Sequence, residues 1–175
     1  DQALVNGLFD TERGIGSSFA YRLLSDDTNA QSELADGLSA FNSNGFALGS
    51  STAVNGNTYE YVGWTFRKQP KFFDVVKYTG NGSSGHSISH SLGSVPGMII
   101  VKNLDDASLG WRVWHRSLSN PNSITLNSTG AQSSDAGYFT TTDPTSSVFY
   151  VGDSGWVNQN NSNFIAYLFA HNNDD

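Results

Sequence analysis

One block of this chain occurs twice. Phe46-Ala47-Leu48-Gly49-Ser50-Ser51-Thr52-Ala53-Val54-Asn55, running on to Tyr61-Val62-Gly63-Trp64-Thr65-Phe66, aligns without a gap on Phe149-Tyr150-Val151-Gly152-Asp153-Ser154-Gly155-Trp156-Val157-Asn158, running on to Phe164-Ile165-Ala166-Tyr167-Leu168-Phe169, at a constant offset of 103 residues. Upstream, Thr28-Asn29-Ala30-Gln31-Ser32 aligns on Thr129-Gly130-Ala131-Gln132-Ser133 at an offset of 101, so a two-residue insertion separates the blocks. Duplication of this kind dictates a modular architecture before any propensity is considered. It also argues against a unique active site, because a reaction centre rarely needs a degenerate twin.

The unit is roughly 100 residues long, an ordinary domain size. A complete copy is expected over residues 70–175, and residues 1–69 are expected to hold only the later part of another. Nothing before Asp1 corresponds to the stretch 71–110, so the sequence is expected to be a piece of a longer polypeptide.

Residue types within the unit point to strands. Ser18–Leu23, Phe46–Gly49, Phe72–Tyr78, His86–Leu92, Met98–Lys102, Trp111–His115, Ser123–Leu126, Phe149–Val151 and Phe164–Phe169 are alternating or continuously apolar, with β-branched and aromatic side chains. Glycine, asparagine and serine separate them, as in Asn42-Ser43-Asn44-Gly45 and Thr79-Gly80-Asn81-Gly82-Ser83-Ser84-Gly85. Ala3-Leu4-Val5 reads as a partial strand, Ser94-Val95-Pro96-Gly97 as a turn, and Tyr59–Phe66 as a strand forming a hairpin with Phe46–Gly49. Leu34 and Leu38, four apart, predict one helical turn within 31–40, which Gly37 weakens. The expected fold is all-β: tandem antiparallel β-sandwich modules, jelly-roll-like, the first incomplete.

Bulk chemistry narrows the function. The net charge is −7 and no basic stripe exists, so nucleic acid is not an expected partner. No apolar run reaches membrane-spanning length, so membrane insertion is not expected. The absence of cysteine excludes disulfides, thiolate zinc sites and cysteine nucleophiles. Charged residues make up 14%, well below the usual ~25%. A polar, mostly neutral surface suits a rigid extracellular assembly.

Phe72-Phe73-Asp74-Val75-Val76-Lys77-Tyr78-Thr79-Gly80-Asn81-Gly82, then His90-Ser91-Leu92-Gly93-Ser94-Val95-Pro96-Gly97-Met98-Ile99-Ile100-Val101-Lys102-Asn103, then Trp111-Arg112-Val113-Trp114-His115-Arg116-Ser117-Leu118 form a long and specific string. It resembles a repeat of tail-fibre-like and uncharacterised virion structural proteins of marine bacteriophages. Leu126–Thr129, Pro144–Phe149 and Phe164–Tyr167 fit the same pattern, so the resemblance covers nearly all of 71–171. The chain departs from that pattern at Tyr138-Phe139, where tryptophan is usual. The resemblance implies a virion component on an extracellular particle, a fibre or appendage. An incomplete first module exposes strand edges, so contacts with other copies of the chain are expected, through donated strands or symmetric packing, three-fold as in many phage fibres, together with contacts to other virion proteins. The resemblance supplies no catalytic residues.

A few side chains could carry chemistry on that background. His86 and His90 share a face of an alternating segment, and His115 would be needed as a further metal ligand; exposed histidines are expected instead, with no metal and no cofactor. Asp26-Asp27 and Asp105-Asp106 lack the spacing of a calcium loop and read as solvated turns. Asp74, Asp135, Asp143 and Asp153 are the carboxylates available to a glycan-degrading spike, but no reaction is expected. Trp111 and Trp114 have opposite parity, so a regular strand would bury at most one. Trp156 stands where the first copy has Ala53 and is the leading ligand contact, with Tyr138 and Asp153 beside it in the binding set. An aromatic face with neighbouring carboxylates suits a host-surface glycan. Host-surface attachment is the leading expectation; head decoration and glycan hydrolysis are the alternatives.

Overall fold

The computed structural model describes residues 6–171. The expected strand at Ala3–Val5 lies outside them. The chain folds as all-β sandwich modules built from antiparallel sheets. Its helical elements among the described residues are single turns: α1 (Thr52–Asn55), α2 (Gly155–Asn158) and a 3-10 turn at Arg116–Leu118.

The second unit is organised by one central strand. Phe73–Thr79 (β6), His86–Ser89 (β7), Pro96–Asn103 (β8), Arg112–His115 (β9), Asn122–Thr125 (β10), Ser133–Ser134 (β11), Val148–Val151 (β12) and Asn163–Ala170 (β13) arrange as a six-stranded sheet, β11-β10-β9-β8-β13-β6, and a facing pair, β12-β7. β13 pairs with β8 on one side and β6 on the other, Ile165 meeting Lys102 and Lys77. Both faces of β13 are buried, which is why its sequence reads as a continuous apolar run. Phe164, Ala166 and Leu168 join Ile99, Val101, Phe149 and Val151 between the two sheets. Ile165 and Tyr167 point to a second cluster with Phe73, Val75, Trp111 and Leu23.

That second cluster corrects the parity argument for the tryptophans. Trp111 and Trp114 do lie on opposite faces, and both are buried, because the sheet is covered on both sides. The cover comes from the first unit. Its strands Gly7–Leu8 (β1), Phe19–Leu24 (β2) and Ser32–Ala35 (β3) form a three-stranded sheet, and Leu23 and Leu8 pack on the second unit. Trp111 Nε1 donates to the Leu24 carbonyl at 2.9 Å. Residues on either side of the expected 69/70 boundary therefore share one core.

Four further expectations are corrected. No helical turn forms over 31–40: β3 stops at Ala35, Asp36 takes a positive φ of 49°, and Leu38–Asn42 (β4) begins a new strand. Gly45–Leu48 (β5) pairs with β4 and not with Tyr59–Phe66, which has no regular structure. The ladder partners that would hold 59–66 extended are not beside it. Pro96-Gly97 open β8, proline occupying the first strand position, where a missing N–H does least harm. His90 is buried rather than solvent-facing, its Nδ1 accepting from the Leu92 amide at 3.3 Å.

The duplication is structural down to single hydrogen bonds. β2 pairs with β3 through Arg22–Ser32 and Tyr21–Glu33; β10 pairs with β11 through the equivalent Ser123–Ser133 and Asn122–Ser134. β5 and β12 coincide at the 103-residue offset, as do α1 and α2. Gly49 N–H bonds the Gly37 carbonyl where Gly152 N–H bonds that of Tyr138. A Cβ on Gly49 would lie 2.3 Å from the Asp36 carbonyl oxygen, and one on Gly152 2.2 Å from that of Ala136, so both copies need glycine at this close approach.

Lys102 gives this core a pH signature. Its side chain is buried, Nζ donating to the Asn103 carbonyl at 2.7 Å. Burial pushes the ammonium pKa down to about 8, against the opposing pull of Asp106 and Asp27. The folded state loses this proton before the unfolded chain does, so folding gains as pH rises from about 8 towards 10.5. Tyr78, half-buried, and Tyr167, buried, act the other way, since desolvation raises both phenols above 10.0 and their contribution is lost as pH climbs past that value. Urea midpoints should rise between pH 8 and 10 and fall beyond it, and Lys102→Met should abolish the rise while keeping the fall.

Candidate functional site

Four elements of the second unit converge on one guanidinium. Arg112 opens β9, and its Nη1 and Nη2 donate to Thr125 Oγ1 on β10 and Ser133 Oγ on β11, the next strand out, each at 2.6 Å. Its Cζ lies 3.5 Å from the centroid of the Tyr138 ring and 5.4 Å from that of Trp156. The two rings meet edge to face at 6.0 Å. Burial lowers the Arg112 pKa, opposed by Tyr138 and Asp135; the guanidinium stays charged at neutral pH.

The backbone around this cluster is fixed by the repeated motif. Ser154 caps α2, its side chain accepting from the Trp156 amide. Asn158, the last residue of α2, is wholly buried. Its Nδ2 donates to the carbonyls of Gly152 and Ser83 and to Asn81 Oδ1, and its Oδ1 accepts from the Asn81 amide and meets His86 Nδ1 at 3.0 Å. Trp156 lies against Gly110, where a Cβ would come within 3.2 Å of its ring. A Cβ on Gly137 would sit 3.0 Å from Asp135 Oδ1 and 3.4 Å from Asp153 Oδ1, which places both carboxylates at the turn leading into Tyr138.

Tyr138, Trp156 and Asp153, the three residues singled out from the sequence, are thus neighbours. Asp153 is exposed, while Trp156 and Tyr138 are half-buried at the margin of the core. Arg112 escaped the sequence reading, because its alternation in β9 made it an ordinary strand residue. A usable signal lay in the repeat. By register, Arg112 corresponds to Gly7, since Gly7 faces Leu24 as Arg112 faces Thr125. Tyr138 corresponds to Gly37 and Trp156 to Ala53. The first unit builds the same backbone with none of the three side chains, so the motif does not require them to fold.

A second polar concentration lies at the joint between units. A cavity of about 240 Å³ is lined by Glu12, Lys68, Asp74, Lys77, Ser89 and His90, among others. Asp74 is buried, and both of its oxygens are engaged: Oδ1 with the Val75 amide and, at 3.1 Å, with Lys68 Nζ; Oδ2 with the Ser91 amide at 2.7 Å. Lys68 also bonds Glu12 at 2.8 Å. Burial lowers the Lys68 pKa, but its bonds to Glu12 and Asp74 outweigh this and leave it raised. Burial lowers that of His90 against the Thr145 carbonyl and Asp74. With its oxygens committed, Asp74 is not poised as a general base, and the cluster reads as an ionic clasp. His115 caps the 3-10 turn through Nδ1, and Asp143 accepts from Asn120 Nδ2. Among the described residues, no three His, Asp or Glu side chains gather as a metal site.

The chain belongs to the family described as Domain of unknown function (DUF7483), whose model matches residues 1–173. No curated protein and no solved structure matches it.

Proposed function

We propose that this chain is a structural module of a phage fibre or appendage, located on the virion, and that the Arg112–Tyr138–Trp156 cluster with Asp135 and Asp153 is its adhesive patch for a host-surface glycan. The observation that carries the reading is the unequal decoration of a duplicated scaffold. Where the first unit has Gly7, Gly37 and Ala53, the second has Arg112, Tyr138 and Trp156 on the same backbone. Side chains added to a motif that folds without them are candidates for recognition.

The chemistry suits a sugar. Half-exposed rings offer apolar faces to pyranose C–H groups, and carboxylates accept from hydroxyls. Arg112 holds Tyr138 rigid, which reduces the ordering cost of binding. One patch of this size binds weakly; many copies on a particle bind firmly through effective concentration. The reading includes no catalysis, and its partners are other copies of the chain, other virion proteins and the glycan.

Glycan-array binding by a multivalent display of the chain tests it. Trp156→Ala and Tyr138→Gly install what the first unit already carries, and each should lower binding at least about tenfold, with a fall of about 1–2 kcal/mol in stability from the lost packing of a half-buried ring and a retained cooperative unfolding transition. Unchanged binding by both variants, or sugar release from host polysaccharide, would overturn the reading.

A further inference from the structure

The first unit carries the last strand of the repeat without its neighbours. Residues 60–67 are equivalent to β13, yet Val62 is 83% exposed and Trp64 84%, where Ile165 is 0% and Tyr167 7%. Phe46 and Leu48 are exposed in the same way, while their equivalents Phe149 and Val151 are buried. In the second unit these positions are covered by β8 and β6 along β13, and by β7 along β12. All three covering strands come from one contiguous stretch, residues 73–103. One segment of that type would therefore complete the first unit at every open edge.

We infer that the first unit is a strand acceptor, and that its occupant is the β6–β8 segment of a second copy of the repeat unit. The known register specifies the pairing. Val62 takes the place of Ile165, between the donor's counterparts of Lys102 and Lys77, and Thr65 that of Leu168, opposite Asp74 and Ile99. Charges then complement one another at both ends. Glu60 stands where Asn163 pairs with Thr79, two positions from the donor lysines; Arg67 stands at the place of Ala170, two positions from the donor aspartate. Exposed edges with apolar side chains are natural templates for strand addition. The inference rests on the duplication and not on glycan attachment, so either can fail without the other.

The probe is a polypeptide of residues 70–105 of this same sequence, which contains no tryptophan. Trp64 is the fully exposed indole of the chain, Trp111 and Trp114 being buried and Trp156 half-buried. Added to the intact chain, the probe should bind one to one, blue-shift Trp64 emission and slow amide exchange over 59–66 by at least about a hundredfold. Val62→Asp, at a position with little to lose in the free chain, should abolish all three effects. A chain with an extra copy of 70–105 linked ahead of residue 1 gives the same readouts without free peptide. No protection of 59–66 in either format overturns the proposal. So does self-association of the chain that buries Trp64 and persists in Val62→Asp.

Discussion

Asn158→Ala should lower the stability of the chain by about 3–5 kcal/mol, read as a shift of the urea midpoint with unchanged slope. The side chain is fully buried, and its amide makes hydrogen bonds to Gly152, Ser83 and Asn81 at 2.7, 2.8 and 3.1 Å, while its oxygen takes the Asn81 amide at 2.8 Å. Truncation leaves the buried Gly152 carbonyl without a partner and strips the Asn81 and Ser83 groups of theirs at the half-buried margin of the hub. Each such group costs about 1–3 kcal/mol when left unsatisfied. Aspartate at this position should be no better, since it cannot donate to the carbonyls and would bury a charge.

The duplicated residue supplies the internal control. Asn55 keeps one of these bonds, Nδ2 to the Gly49 carbonyl at 2.8 Å, in an exposed setting. Asn55→Ala should therefore cost less than about 1 kcal/mol, because water replaces the lost partner. Equal effects at the two sites would mean that the hydrogen-bond hub does not set the second unit's stability. Because Asn158 ends α2, its removal should also loosen Trp156, and glycan binding should weaken along with stability.

What the sequence disclosed depended on whether the information was local. The strands Phe19–Leu24, Phe73–Thr79, Pro96–Asn103 and Asn163–Ala170 carry their own apolar pattern, and the repeat fixed how many units to expect. Tyr59–Phe66 has the same pattern and does not form a strand, because a strand exists only where neighbours complete its ladder. Trp111 misled for a related reason: parity assigns faces, and the cover supplied by Leu23 from over eighty residues away decides whether a face is wet. In the candidate site, Tyr138, Asp153 and Trp156 could be named from residue type and alignment of the copies. Arg112 required the register of β9 against β10, which no local pattern encodes.

The joint between units yields the other large effect. Asp10→Ala should cost about 3–5 kcal/mol, the usual penalty for stripping one partner from a buried ion pair. Asp10 and Arg13 are both buried. Asp10 Oδ2 receives Arg13 Nε at 2.5 Å and Tyr167 Oη at 2.7 Å, and its Oδ1 receives the Arg13 amide at 2.8 Å. Arg13 Nη2 donates in turn to the Leu8 carbonyl at 2.9 Å. Without Asp10, the guanidinium remains in the interior with its counter-charge gone, and the phenol of β13 loses its acceptor. The variant Asp10→Ala/Arg13→Met should recover part of the loss, since an apolar pair carries no desolvated charge. Since Tyr167 also packs with Leu23 and Trp111, the damage should reach both units, and amide exchange should accelerate together over β1–β2 and β13. Two separated transitions in Asp10→Ala, with β13 exchanging as in the parent, would show that the clasp does not couple the units.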